Sequence, residues 1–398
     1  MPRPLAILCL LRDPLPPRRA DVLTLFGVEL PRHGIHTALV GQAAGQAAAT
    51  WPGGTLHLAG RFGGASNSFL APVRDTWSLL RAAVAAPPDC IQVRDKIVVA
   101  VLALAAAALL GVPFVYWMSF PIVEGYAAHA RTGAVRFAAL HRLRAAITRC
   151  LLYRLVLPRA ALVFVQSAAM ADALAAHGIP TPRLAAVPMG VDLPLAARVT
   201  PAPDARLDGR RVVVYLGSVA RSRASLFLLE LAAALGAVRP EVLLVIAGDA
   251  PSPAEAAWFR AELSRRALDA NVLLTGWLTH ADALGYVARA DVGISPVPRG
   301  ALFDVSSPTK LVEYLAMQVP AVASDIPDQQ WVIGQSGAGH CVPMTVAAFC
   351  AAVTALLDDP ERAARGVRGQ AWVRAHRSYD VLGREVARRY RTLLEPGA

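Results

Sequence analysis

Cysteine is scarce in this sequence, and the few cysteines form no pattern typical of a scaffold or a metal site. Five occur in 398 residues, widely spaced and odd in number, with no C-x-x-C pair among them. This spacing argues against a disulfide framework and against a zinc site of paired cysteines. It favours a reducing compartment, so we predict a cytoplasmic protein.

The sequence also lacks an apolar run long enough to cross a membrane. No charged residue occurs between Lys96 and Glu124, but the apolar segment 97–110 is followed by Gly-Val-Pro at 111–113. A transmembrane helix needs roughly 20 apolar residues, so a buried helix is the better interpretation of that segment. The apolar run at 5–11 is too short for a signal peptide and is typical of a first buried strand.

Acidic residues are few in the first half, which carries most of the net charge of +11. None occurs between Glu124 and Asp172, where seven arginines do: Arg131, Arg136, Arg142, Arg144, Arg149, Arg154 and Arg159. Apolar residues recur among them at helical spacing, at positions 140, 143, 147, 151 and 155. The pattern predicts a basic amphipathic helix.

Two interpretations of this basic helix remain open. It can dock on an anionic membrane surface, which would place the protein peripherally on the inner face of the plasma membrane. We favour this interpretation because the charge of the whole first half has the same sign. Alternatively, the apolar stripe packs on a domain core and the arginines are merely solvated. We expect no nucleic-acid partner, because neither a known binding motif nor interleaved surface aromatics accompany the arginines.

Short apolar runs alternate with longer amphipathic ones along most of the chain. Runs such as LAILCLL, HTALVG, DCIQVRD and PFVYWMS, and later VVVYLGS, VLLVIAGD, NVLLTGW and PAVASD, indicate buried strands. This rhythm predicts an α/β protein in which helices cover both faces of parallel sheets. It stops in a stretch rich in Pro, Ala and Arg, so we predict domains at 1–195 and 210–379 with a linker at 196–209. A final helix at about 380–398 is expected to pack back on the first domain.

The stretch SSPTKLVEYLAMQVPAVASD places a helix start directly before a buried strand. Ser307 suits an N-cap and Pro308 the first helical position, which leaves the N–H groups of Thr309 and Lys310 as unpaired donors for an anion. Glu313 lies one turn further, where its carboxylate can accept hydrogen bonds from two ribose hydroxyls. The alternative is a capped surface helix with a Lys310–Glu313 ion pair.

Two further loops follow predicted strands. Gly217 and Ser218 end one strand, and Arg221 and Arg223 come next, where guanidinium groups can clamp a diphosphate or can simply be exposed. Gly276, Trp277 and Leu278 end another strand. Backbone groups and an apolar side chain there can hold a nucleobase, although Trp277 is equally consistent with a core residue.

Taken in order, these segments resemble a known family. The runs VPMGVD, YLGS with its two arginines, VLLVIAGD, NVLLTGW, YVARADVGISPV and SPTKLVEYLAMQVPAVASD are similar to those of GT4-type retaining glycosyltransferases, the glycosyltransferase group 1. The first half fits more loosely, through RRADVLTLFGVELPRHGIHTALVG and VFVQSAAMADALAAHGI. The resemblance covers nearly the whole chain. It implies the GT-B fold, in which two Rossmann-like doubly wound domains face each other across a cleft.

The resemblance also implies an activity and the residues that perform it. The chain would move a sugar from a nucleotide-sugar donor, bound by the second domain, to a hydroxyl of a glycan or lipid-linked acceptor, bound by the first. The implied donor-binding residues are Gly217, Ser218, Arg221, Arg223, Gly276, Leu278, Ser307, Thr309, Lys310 and Glu313. Catalysis would depend on Arg223, Lys310 and Glu313. Such enzymes need neither a metal ion nor another cofactor.

Several positions depart from the family pattern. A glutamate common near the reacting sugar is replaced by Val305, beside Asp304, and a first-domain histidine falls at about Met118. Gln318 stands where a helix-ending glycine is common. Arg94, Asp95 and Glu124 lie in first-domain segments that can line the cleft, and they are the acceptor-side candidates. Two alternatives remain open: a sugar-nucleotide epimerase of the same architecture, and a protein that binds the donor without turnover.

Overall fold

In the first unit, the apolar runs build a seven-stranded parallel sheet. The computed structural model describes residues 3–17, 19–43, 50–63, 65–131 and 138–395. The strands are β1 (Leu5–Leu10), β2 (Ile35–Ala43), β3 (Gly54–Arg61), β4 (Cys90–Arg94), β5 (Phe114–Met118), β6 (Leu162–Val165) and β7 (Leu184–Ala186). They lie in the order β3-β2-β1-β4-β5-β6-β7, and every described pairing is parallel.

Helices connect these strands. A π-helical stretch, Asp21–Glu29, continues as α1 (Leu30–Arg32) and is followed by α2 (Ala65–Ala85), α3 (Ile97–Leu110) and α4 (Ile122–Arg131). α5 (Ala138–Cys150) continues through a second π-helical stretch, Leu151–Val156, into α6 (Leu157–Arg159), and α7 (Ala168–Ala176) precedes β7. Among the described helices, none combines the length and the apolar composition that crossing a membrane requires. α3 buries one side and ends at Gly111, which has a φ of +67°.

The second unit contains a six-stranded parallel sheet of the same kind. Its strands are β8 (Arg211–Leu216), β9 (Val242–Ala247), β10 (Val272–Leu274), β11 (Val292–Ser295), β12 (Ala321–Ser324) and β13 (Gly339–Val342). Their order is β10-β9-β8-β11-β12-β13. Successive strands are thus added on one side of β8 as far as β10 and on its other side from β11 onwards, so the strand order reverses between β8 and β11. Ligands of such sheets bind at the carboxyl ends of the strands beside that point. Both sheets confirm the predicted doubly wound α/β architecture.

The helices of the second unit are α8 (Leu193–Ala196), α9 (Leu226–Val238), α10 (Pro253–Arg265), α11 (His280–Val287), α12 (Thr309–Ala316), α13 (Pro327–Ser336), α14 (Val346–Asp358) and α15 (Arg362–His376). The last helix, α16 (Tyr379–Leu394), returns to the first unit, where Leu382, Val386 and Tyr390 join the core beside β1 and β5. Strands such as β9 are buried along their whole length, because helices cover both faces of the sheet.

The predicted linker at 196–209 is wrong. The chain divides into Met1–Pro188 with Tyr379–Ala398, and Met189–Ser378, so this stretch belongs to the second unit. Ala202 N–H donates to Gly285 O at 2.9 Å, and Asp204 accepts from the Tyr286 hydroxyl at 3.0 Å. Leu207 is buried. Proline and arginine in this stretch suggested an unstructured linker, but specific contacts with α11 fix it on the unit.

Gln318 ends α12 in the left-handed region, with a φ of +61°. Glycine adopts this conformation without the steric cost that a side chain brings. Gln318→Gly is therefore expected to raise the free energy of unfolding by up to about 1 kcal/mol, reduced by the loss of the exposed Gln318–Gln370 hydrogen bond. Chemical denaturation measures the change. The matched control is Gly337→Ala at the end of α13, where φ is +60° and the substitution should destabilise; a destabilised Gln318→Gly would contradict the argument.

Candidate functional site

α12 is fixed against the sheet at the point where the strand order reverses. A Cβ on Gly293 in β11 would lie 2.4 Å from the Tyr314 ring, so glycine at this position lets the helix approach the strand closely. The Tyr314 hydroxyl donates to Ile294 O at 3.1 Å and accepts from Leu216 N–H at 2.8 Å. One buried side chain thus ties α12 to both β8 and β11, and the start of the helix lies near the carboxyl ends of these strands.

The first turn of α12 supplies backbone donors for an anion. The helix begins at Thr309 with Pro308 as its N-cap, so the predicted N-cap role of Ser307 is wrong. The Ser307 hydroxyl is engaged by Asp328, Arg377 and the backbone of Met189 instead. No described residue accepts a hydrogen bond from the N–H groups of Thr309 or Lys310. Such unpaired groups at the positive end of a helix form an anion site.

Lys310 extends from this turn over the end of β8. Its Nζ lies 4.7 Å from the centroid of the Tyr215 ring, and its Cε would lie 3.6 Å from a Cβ on Gly217. Gly217 has a φ of +142° and leads into Ser218, whose carbonyl accepts from the Tyr215 hydroxyl. Among the described residues, no carboxylate forms an ion pair with Lys310. The predicted alternative of a Lys310–Glu313 surface pair is therefore wrong.

Glu313 pairs with a histidine that sequence reasoning missed. Glu313 is 6% exposed, and its Oε1 lies 2.7 Å from His280 Nε2. His280 opens α11 just after Thr279, whose hydroxyl accepts from Asp282 N–H and caps the helix. The hydrogen bond to Glu313 raises the pKa of His280 above its usual value, although partial burial opposes the shift. The Thr279-x-x-Asp282 pattern was the signal that a helix starts here at the end of a strand.

The His280–Glu313 pair is expected to stabilise the protein most at mildly acid pH. Asp192 adds a smaller upward effect on the His280 pKa. Because the pKa is raised on folding, the stabilisation is fully present below the unfolded value of about 6.5 and is lost as the pH rises through the folded value. The difference in Tm between wild type and His280→Gln should therefore be largest at about pH 6 and shrink as the pH rises above that value. A difference independent of pH would contradict a charged pair.

The two loop arginines differ in their surroundings. Arg221 donates from its backbone to Glu255 at 2.9 Å and from its guanidinium at 3.3 Å, and that guanidinium lies 4.4 Å from the centroid of the Trp258 ring. Arg223 is exposed, and no described carboxylate forms an ion pair with it. Arg223 is therefore the loop cation that an added anion can recruit, whereas Arg221 already has partners.

The predicted base-side segment lies at the end of β10. Gly276 has a φ of +76°, and the nearest atom to a Cβ built there is Asp249 Oδ2 at 3.9 Å. Leu278 lines a cavity of about 550 Å³ together with Tyr286 and the segment 198–206. Trp277 is 67% exposed, so the alternative that it is a core residue is wrong. The structure brings these residues to the same sheet edge as α11, which carries His280.

The acceptor-side candidates are engaged within the first unit. Arg94 is buried at the end of β4, paired with Asp21 and placed 5.4 Å from the Trp117 ring centroid. Asp95 has a φ of +58° and accepts from Ser119 N–H at 2.9 Å, and burial raises its pKa. These contacts hold both side chains at the carboxyl end of β4, although Arg94 Nε and Nη1 are buried without a hydrogen-bond partner among the described residues. The acceptor-side role of Arg94 and Asp95 stays a prediction.

Three other positions that the sequence singled out, Glu124, Met118 and Asp304, also lie in the described structure. Glu124 accepts from the Tyr153 hydroxyl at 2.9 Å, and Met118 is buried at the end of β5. Beside Val305, the Asp304 carboxylate accepts from Arg299 at 2.8 Å and from Gly300 N–H. Asp304 is thus already paired with Arg299. In the ranges that the structure describes, no group of three or more His, Cys, Asp or Glu side chains is placed to hold a metal ion.

Comparison with known proteins gives matches over most of the chain. Residues 20–190 match the family described as "Glycosyl transferase 4-like domain", and residues 210–359 match "Glycosyl transferases group 1". Alpha-D-kanosaminyltransferase of Streptomyces kanamyceticus is 28% identical over 189 residues, 47% of this chain and 47% of that protein. The chain thus aligns with about half the length of this curated relative.

Solved structures extend the likeness to the whole fold. Sucrose-phosphate synthase from Thermosynechococcus elongatus is 18% identical with a TM-score of 0.74, over 98% of this chain and 100% of that one. Anabaena Alr3699/HepE in complex with UDP gives 18% and 0.70 over the same shares. The lipopolysaccharide outer core galactosyltransferase WaaB gives 14% and 0.65, over 99% and 100%. At these identities the likeness shows a shared fold.

Proposed function

The chain belongs to the group 1 glycosyltransferases and has their GT-B fold, and from this premise we propose that it transfers a sugar from a nucleoside-diphosphate sugar to an acceptor hydroxyl. One observation carries the proposal. The unpaired N–H groups of Thr309 and Lys310 precede the buried Glu313 by one helical turn. A diphosphate at the helix start and a ribose at Glu313 match the two adjacent parts of such a donor.

During transfer, these residues would stabilise the nucleoside diphosphate as the leaving group. As the C1–O bond of the donor breaks, its electron pair stays on the β-phosphate oxygen, and the acceptor hydroxyl forms the new bond to C1. The helix-start amides, Lys310 and Arg223 are the donors and cations that meet the developing charge. We infer retention of configuration from the family resemblance, with the departing phosphate oxygen orienting the acceptor and taking its proton.

We propose that transfer needs no metal ion. Lys310 and Arg223 carry no described ion pair, so both cations are available to a diphosphate that a metal ion would otherwise neutralise. Turnover with the identified donor should therefore be unchanged by EDTA. Loss of activity on chelation, restored by a divalent cation, would contradict this part of the proposal.

A screen of nucleotide sugars tests the proposed function. Thermal shift is measured with UDP-, GDP- and ADP-sugars, and the stabilising donor is then followed for release of free nucleotide with and without acceptor glycans. We expect one nucleotide class to raise Tm and acceptor-dependent release of the nucleotide. Conversion of the sugar without acceptor would indicate the epimerase, and binding without consumption would indicate a donor-binding protein. No shift with any nucleotide would contradict donor binding.

We propose that the acceptor is a glycan or lipid-linked glycan at a membrane surface, reached through the basic helix. Within α5, Leu140, Leu143 and Ile147 are 62%, 56% and 50% exposed, so this part of the apolar stripe does not pack on the core. Further along, residues 151 and 155 are half-buried. Exposed arginines accompany the stripe at 142, 149 and 154, a combination that suits an anionic bilayer surface. Arg136 and the side chain of Arg131 lie outside the described residues.

Membrane docking makes a prediction for vesicle binding. The protein should cosediment with vesicles containing anionic phosphatidylglycerol more than with pure phosphatidylcholine, and less so at high salt. Replacing Leu140, Leu143 and Ile147 with serine should lower the partition by about tenfold or more, because three apolar side chains no longer enter the interface. The matched control is Val367→Ser, an equally exposed position in the second unit. Equal binding by the triple variant and wild type would contradict docking through α5.

A further inference from the structure

Arg377 directly follows α15 and is a buried cation with three hydrogen-bond partners. Its side chain is 2% exposed. Nη2 donates to Asp328 Oδ1 at 2.6 Å, and Nη1 donates to Ser307 Oγ at 3.1 Å and to Met189 O at 3.4 Å. The ring centroids of Trp331 and Trp372 lie 5.4 and 5.9 Å from the guanidinium carbon. A buried charge with this many partners fixes the elements that supply them.

The partners of Arg377 are also bonded to one another. The Ser307 hydroxyl donates to Asp328 Oδ2 at 2.9 Å and accepts from Met189 N–H at 3.1 Å. Asp328 lies in the first turn of α13. We call Met189, Ser307, Asp328 and Arg377 the Arg377 network. It joins the segment before α12, the start of α13 and both ends of the second unit.

The Arg377 network lies directly beside the helix start that is proposed to bind the donor. Ser307 is separated from Thr309 by Pro308 alone, a residue that has a fixed φ and no N–H. Met189 is the first residue of the second unit and Ser378 its last. Val191 N–H donates to Arg377 O at 2.8 Å, and Val191 and Ser378 form a parallel bridge. The same network therefore holds the first turn of α12 and the two segments through which the chain enters and leaves the second unit.

We propose that the Arg377 network positions the first turn of α12 for the diphosphate of the donor. This inference rests on the proposed function. Arg377 and Asp328 act through Ser307 and are positioning residues. The N–H groups of Thr309 and Lys310 bind an anion well only if both are held at the correct distance and angle, and a shift of about 1 Å weakens such contacts strongly. Coupling between two sites is reciprocal, so a diphosphate bound at α12 also stabilises the segments at 189–191 and 377–378.

The test compares ligands that differ only in the diphosphate. Ser307→Ala and Asp328→Asn keep the packing and remove a hydroxyl or a charge, and Ser307→Thr restores the hydroxyl. Dissociation constants are measured for UDP, GDP and ADP and for the corresponding nucleosides, and the pair that binds wild type most tightly is used. We expect both variants to bind the nucleoside within about twofold of wild type and the diphosphate about tenfold more weakly, with recovery in Ser307→Thr.

A matched variant separates positioning from loss of stability. Asp291 makes a similar network at the amino ends of β8 and β11 in the same sheet, with Arg211 at 3.0 Å, Arg362 at 3.1 Å and Val212 N–H at 2.9 Å. Asp291→Asn should lower Tm without changing the ratio of diphosphate to nucleoside affinity. Folded Ser307→Ala and Asp328→Asn variants with the wild-type ratio would overturn the inference.

Hydrogen exchange supplies a readout that needs no variant. In wild type, the nucleoside diphosphate should slow exchange of the Val191 amide, and the nucleoside should not. Equal exchange with both ligands would also overturn the inference. If wild type binds none of the three diphosphates, the proposed function fails, and this inference fails with it; binding with unchanged ratios refutes the inference alone.

Discussion

Replacing Glu313 with alanine is expected to weaken binding of the nucleotide-sugar donor by about 10²-fold or more. The carboxylate is buried and one turn from the helix start, where it can accept hydrogen bonds from two ribose hydroxyls. Hydrogen bonds to a charged group contribute about 1.5–3 kcal/mol each, and the substitution removes both. Calorimetry with the donor identified by the screen measures the loss.

Two variants control for the effect of Glu313→Ala on folding. Glu313→Gln keeps the shape and should lose most of the affinity, because an amide replaces one acceptor oxygen with a donor. His280→Gln removes the partner of the carboxylate and leaves the carboxylate itself. It should retain much more affinity than either Glu313 variant. Wild-type affinity in folded Glu313→Ala would contradict the assignment of the ribose to this residue.

Lys310→Met is expected to lower kcat by about 10²- to 10³-fold, with a smaller change in KM. The methionine keeps the length of the apolar stem over Tyr215 and removes the charge that meets the leaving diphosphate. Charge that develops in the transition state makes the ammonium worth more there than in the ground state. Steady-state kinetics with saturating acceptor separate the two parameters.

The two loop arginines provide an internal comparison for Lys310→Met. Arg221→Gln should have the smaller effect on kcat, because Arg221 is already paired with Glu255 and Trp258. Arg223→Gln should have an effect closer to that of Lys310→Met, because Arg223 has no described ion pair. A larger effect from Arg221 than from Lys310 would show that the diphosphate lies on the other side of this loop.

Sequence reasoning predicted most of the buried strands, because their apolar runs are long and sharply bounded. LAILCLL, PFVYWMS and VLLVIAGD became β1, β5 and β9 within a residue or two. It did not predict β3, which lies at the edge of the first sheet and whose residues are half-exposed. The segment 196–209 was assigned wrongly, because its contacts with α11 involve residues far away in sequence, which local composition does not indicate.

The candidate site was predictable where it depends on local sequence and was missed where it depends on tertiary contact. The start of α12 and the position of Glu313 follow from SPTKLVEY. His280 and Glu313 are 33 residues apart, and Ser307 and Arg377 are 70 apart. No periodicity connects such pairs, so His280, Asp328 and Arg377 appear only once the chain is folded. The wrong N-cap assignment for Ser307 has the same cause, since its hydroxyl is engaged by these distant partners.

A crystal structure with the nucleoside diphosphate of the preferred donor tests the central claim most directly. We predict phosphate oxygens within hydrogen-bond distance of the N–H groups of Thr309 and Lys310, and both ribose hydroxyls on the Glu313 carboxylate. A diphosphate bound elsewhere, with the first turn of α12 left empty and Glu313 bonded to His280 alone, would contradict it.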